Sequence, residues 1–117
     1  MAHVSTHVLD TARGVPAAGV LVELRRADGA DREPLAAVMT NAQGRTDAPL
    51  VASDRLGRGI YELTFHVGDY FRRQGVALTD PPFLDRVVIR VGIAESDGRY
   101  HIPLLISPYG YTTYRGS

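Results

Sequence analysis

Ile60-Tyr61-Glu62-Leu63-Thr64-Phe65-His66-Val67 and Arg86-Val87-Val88-Ile89-Arg90-Val91-Gly92-Ile93 are the two stretches that decide how this chain folds. In the first, Tyr61, Leu63, Phe65 and Val67 alternate with Ile60, Glu62, Thr64 and His66. In the second, Val87, Ile89, Val91 and Ile93 alternate with Arg86, Val88 and Arg90. A period of two sends successive side chains to opposite faces of a strand, so each segment has one face for a core and one for another surface. Val20, Val22 and Leu24 against Glu23 and Arg25 repeat the pattern, as do Tyr100, Ile102, Leu104 and Ile106 against His101 and Ser107. Weaker strands are expected over residues 3–9, 35–40 and 111–115.

Turn chemistry separates these runs. Asp28-Gly29 and Asp97-Gly98 are hairpin signals, and Asn41-Ala42-Gln43-Gly44 ends on a glycine able to take positive φ. Neighbouring strands are therefore expected to run mostly antiparallel. One helix is expected, over residues 69–74, opened by Asp69 as a cap and closed by Gly75, with Pro81-Pro82 preventing any continuation. Seven or eight short strands with regular turns make an all-β sandwich, because an open sheet of this composition leaves apolar faces wet.

The 117 residues, 44% of them apolar and 22% charged, suit one folded domain over residues 1–117. Thirteen basic residues offset thirteen acidic ones, so no global field attracts phosphate backbones or anionic lipid, and neither nucleic acid nor a membrane is an expected partner. Cysteine is absent, which removes disulfides, thiolate metal sites and thiol nucleophiles. All the basic residues are arginine, which removes Schiff-base and phosphate-loop lysine chemistry. The opening residues, with His3 and His7 among them, lack the apolar run of a signal peptide, and no run approaches the ~20 residues of a membrane span. A cytoplasmic protein is expected.

Histidine suits proton transfer near neutrality, and the chain has four. His7 falls opposite Val4 and Val8 on its strand, and His101 opposite Ile102 and Leu104, so both point away from the core. His3 and His66 read as ordinary solvent-facing side chains. Arg45 directly follows Gly44, at the end of a tight turn, where a guanidinium can fork two donors onto a carbonyl or anion. The final stretch, Ser107 to Ser117, holds three of the six tyrosines and reads as an edge strand, an oligomer interface or a binding segment. No G-x-S-x-G, H-E-x-x-H, phosphate-loop or dinucleotide pattern occurs. The histidines lack close spacing, so neither a metal nor a cofactor is expected, and any hydrolysis falls to water activated by histidine.

Ser5-Thr6-His7-Val8-Leu9-Asp10, Thr40-Asn41-Ala42-Gln43-Gly44-Arg45, and His101-Ile102-Pro103-Leu104-Leu105-Ile106-Ser107-Pro108-Tyr109-Gly110-Tyr111-Thr112-Thr113 through the closing Tyr114-Arg115-Gly116-Ser117 resemble the 5-hydroxyisourate hydrolases, the transthyretin-related enzymes of urate breakdown. The resemblance spans essentially the whole chain, and the closing tetrapeptide is its most specific part. Gln43 is a departure, since an acidic residue is common before that glycine. The resemblance implies a transthyretin-like β-sandwich of two four-stranded sheets with one short helix, assembled as a homotetramer with the site at the dimer–dimer interface. It implies hydrolysis of the 5-hydroxyisourate ring, with His7, Arg45, His101 and Ser117 catalytic. His7 and His101 hold and deprotonate the water, either ring being able to act as base. Arg45 orients the substrate and stabilises the oxyanion, Tyr114 binds the heterocycle alongside His7 and Arg45, and Ser117 offers its hydroxyl and terminal carboxylate. The alternative is a non-catalytic carrier of small molecules on the same scaffold.

Overall fold

A computed structural model describes residues 2–27, 33–53 and 56–117. Two sheets pack face to face. The first is wholly antiparallel, in the order β4 (Ala36–Met39), β3 (Leu21–Arg26), β6 (Gly59–Phe65), β7 (Val87–Ile93). The alternation read from the sequence becomes its inner face: Val22, Leu24, Tyr61, Leu63, Phe65, Val87, Ile89 and Ile93 are all buried.

The second sheet is built on β1 (Ala2–Asp10), flanked by β8 (Arg99–Ser107) and then β9 (Gly110–Thr113). On the other edge of β1, the two short strands β5 (Val51–Ser53) and β2 (Val15–Pro16) pair with its beginning and its end. An isolated bridge between His7 and Arg45 lies between them. Together these pieces fill one interrupted fourth position, so the sheet is four strands wide. The β1–β8 pairing is parallel, the exception to an otherwise antiparallel fold.

Three local expectations change. The helix, α1, runs Val67–Arg73 with His66 as N-cap and no side-chain capping bond, so Asp69 sits in its first turn rather than capping it. It starts early because Val67, Gly68, Tyr70 and Phe71 are drawn into the core. Gly75, at φ +77°, closes it as read. Asp97-Gly98 is no hairpin: β7 and β8 belong to different sheets, and the turn carries the chain across the sandwich. The Tyr100 hydroxyl holds that crossing by accepting from the Ala94 and Glu95 amides. His66 is no free surface residue, since its Nε2 lies 2.6 Å from Glu23 and only 11% of its side chain is exposed. The Asp28-Gly29 turn lies outside the described residues.

Fully buried Tyr61, Phe65, Tyr70 and Phe71 anchor the core, each worth roughly 1.5–3 kcal/mol of apolar burial. The buried polar groups are paired. Thr6 Oγ1 donates to the Ile102 carbonyl, and Asp10 accepts from the Ala12 and Arg13 amides and the Tyr70 hydroxyl. Among the described residues no buried side-chain polar atom lacks a partner.

Candidate active site

The outward face of the second sheet gathers the candidate side chains. In the parallel register Ser5 stands beside His101 and His7 beside Pro103, and neighbours in register share a face. The His101 ring turns Nδ1 toward Ser5 Oγ at 2.9 Å. His7 Nε2 lies 2.9 Å from the Gln43 main-chain oxygen. A carbonyl only accepts, so His7 donates there.

The turn that carries Arg45 is locked onto β1. Asn41 Oδ1 accepts from the Gln43 and Arg45 amides, the Asn41 amide donates to the Arg45 carbonyl, and the Val8 amide donates to the Gly44 carbonyl. Gly44 has φ +76°, and a Cβ there would lie 2.3 Å from the Val8 carbonyl oxygen. Only glycine lets the turn come this close, which sets the Arg45 backbone opposite His7.

The tail reaches the site by a similar device. The β8–β9 ladder pairs Leu104 with Thr113, and the same register resumes as a bridge between His101 and Gly116. Pro103, lacking an N–H, interrupts the ladder between them. The Gly116 amide donates to the His101 carbonyl at 2.8 Å, and a Cβ on Gly116 would lie 2.6 Å from His101 Cδ2. The Arg115 guanidinium stacks on the Tyr100 ring at 4.4 Å and donates to the Arg99 carbonyl.

These elements enclose a cleft of about 360 Å³ lined by His3, Ser5, Arg45, Arg99, His101 and Ser117, among others. Among the described residues no acidic side chain lines it. Partial burial, then the nearby Arg45 cation, then His7, hold the His101 pKa below the ordinary histidine value. A ring so placed is neutral at pH 7 and able to accept a proton. Arg45, His101 and Ser117 line this one cleft, whereas His7 lies outside its lining, on the same sheet face and near enough to His101 to act on it electrostatically. Tyr114 does not line this cleft. The residue, 57% exposed, borders a separate hollow of about 330 Å³ between β7 and the tail. His3, Ser5 and Arg99 are lining residues that sequence reasoning passed over.

The sequence profile of the HIUase/Transthyretin family matches residues 4–116. The chain belongs to this family. A Deinococcus radiodurans relative named 5-hydroxyisourate hydrolase is 56% identical over 97% of this chain and 94% of its own length. Among solved structures of family members, the 5-hydroxyisourate hydrolase of Klebsiella pneumoniae is 43% identical, with a TM-score of 0.83 over the full length of both chains. The crystal structure of (S)-allantoin synthase superposes with a TM-score of 0.92 at 37% identity, covering 99% of this chain, which spans 44% of that longer one.

Proposed function

We infer that this chain is a hydrolase that opens the ring of 5-hydroxyisourate, giving 2-oxo-4-hydroxy-4-carboxy-5-ureidoimidazoline in urate degradation. The observation that carries the reading is the convergence of two histidines and an arginine on one outward sheet face in a member of the HIUase/Transthyretin family. A carrier has no use for a neutral imidazole beside a cation, and burying such groups under a ligand that does not pair with them is costly.

His101, neutral and facing the cleft, takes a proton from water as the oxygen attacks the ring carbonyl. Arg45 faces the oxygen on which negative charge develops, a contribution of order 10²–10³ for one such donor. The tetrahedral intermediate collapses with cleavage of the C–N bond, and the imidazolium returns its proton to the leaving nitrogen. One water is consumed, the new carboxyl group gives up its proton to solvent, and the resulting carboxylate lies among His3, Arg45, Arg99 and His101. His7, donating to Gln43, secures the Arg45 turn. Ser117 hydrogen-bonds substrate from the tail. Residues 1–117 act as one domain, in the cytoplasm, as a homotetramer whose dimer–dimer interface covers the cleft. Tyr114, exposed on the flank, meets substrate only across that subunit boundary.

The test is the ultraviolet absorbance of freshly made 5-hydroxyisourate. The protein is expected to accelerate its decay, and His101→Asn to lower kcat by ~10²-fold or more. A decay rate unchanged by micromolar protein overturns the reading in favour of a carrier.

A further inference from the structure

We propose that Ser5 is a positioning residue for His101, its hydroxyl accepting from Nδ1–H and so leaving the Nε2 lone pair for the water in the cleft. The proposal rests on the hydrolase reading for its purpose, but its physical content is a tautomer. A neutral imidazole carries one hydrogen on either nitrogen, and the partner of one nitrogen decides what the other offers. An imidazolium carries both hydrogens and needs no such choice. The groups facing His101, namely the Arg45 cation and His7, disfavour the imidazolium, so the choice arises.

The two histidines differ in what they meet. His7 Nε2 faces a main-chain carbonyl and must carry hydrogen there, which commits that nitrogen to holding the Arg45 turn. His101 Nδ1 faces a hydroxyl, which can accept. The ring is also held against flipping. Ser5 stands at its Nδ1 edge, 2.9 Å away, and the Gly116 backbone is packed on the Cδ2 edge, so close that a Cβ would overlap it. A flipped ring would offer a carbon to Ser5. The pairing is fixed by the parallel register of β1 and β8 rather than by flexible loops, and both residues line the cleft.

Nitrogen-15 NMR of the wild-type protein, above the pKa of the ring, reads the tautomer without substrate. His101 is expected to show a pyrrole-type Nδ1 and a pyridine-type Nε2. In Ser5→Ala the balance is expected to move to the Nε2–H form that a free imidazole side chain prefers. In the same variant kcat is expected to fall about tenfold with KM little changed, in the range for residues that act through another's orientation. Ser5→Thr, which keeps the hydroxyl, should restore both readouts. A wild-type His101 in the Nε2–H form overturns the proposal while leaving the hydrolase reading in place, and so does a Ser5→Ala protein with unchanged tautomer and kcat. An Nδ1–H ring in a protein that leaves 5-hydroxyisourate untouched supports the role of Ser5 and overturns the hydrolase reading instead.

Discussion

At the scale of single residues, His101 governs the response to pH. Its pKa is lowered by burial first, then by Arg45 and His7, so kcat/KM is expected to rise with pH along a limb centred below the ordinary value of 6.5. Arg45→Gln should move that limb part of the way back up, the burial being left in place; a limb at or above 6.5 in the wild type contradicts this account. The same shift bears on stability. The folded ring binds a proton less readily than the unfolded one, so its contribution is complete above about 6.5 and is lost as pH falls below it. Among the described residues no three His, Asp or Glu side chains are grouped to hold a metal ion, and dialysis against a chelator is expected to leave turnover intact. The outward placement of His7 and His101 was legible because alternation assigns a face to every second residue, and that of Arg45 because it directly follows the Gly44 turn. His3, Ser5 and Arg99 share that face by the same rule. They were passed over because alternation within one strand says nothing about which residues of a distant strand stand beside it.

Elements show where local signals suffice and where packing overrides them. Gly44 was readable as a positive-φ turn, and the structure adds that its missing side chain lets the turn meet β1. Gly44→Ala is therefore expected to cost at least about 1–2 kcal/mol from the left-handed backbone alone, more once the Val8 carbonyl is displaced. It should lower the melting temperature and depress kcat/KM together, by loosening the turn that carries Arg45. Asp10 ends β1 by accepting two amides on one oxygen, and its second oxygen accepts from Tyr70 on α1. Tyr70→Phe leaves a buried carboxylate oxygen short of a donor, an expected loss of about 1–3 kcal/mol measurable by denaturant unfolding. The start of α1 was missed by two residues for a related reason. Capping chemistry placed it at Asp69, whereas burial of Val67 and Gly68 extends the helix back to them. The short strands β2 and β5 carry no readable alternation at two and three residues, and exist because β1 offers them an edge.

For the whole molecule, the sandwich was legible and its assembly is the larger question. Leu9 and Leu105 stand beside each other on the outward face, Tyr109 and Tyr111 are 63% and 47% exposed, and β7 and β9 end their sheets with unpaired edges among the described strands. Surfaces of this kind call for a partner copy, and light scattering is expected to give a tetramer mass at working concentration; a monomer mass would remove the interface from the site. The parallel pairing of β1 with β8 was not legible, because hairpin signals describe only neighbours in sequence. That pairing joins Ser5 to His101 across 96 intervening steps of chain. Closing so long a loop is slow and entropically unfavourable until the contacts beyond it form. On the ribosome, then, β1 must wait with one edge unmet until β8 has left the exit tunnel, and the cleft is complete only once the tail carrying Gly116 and Ser117 has followed it. The last long strand to be made is thus the one that gives His101 its neighbour on β1.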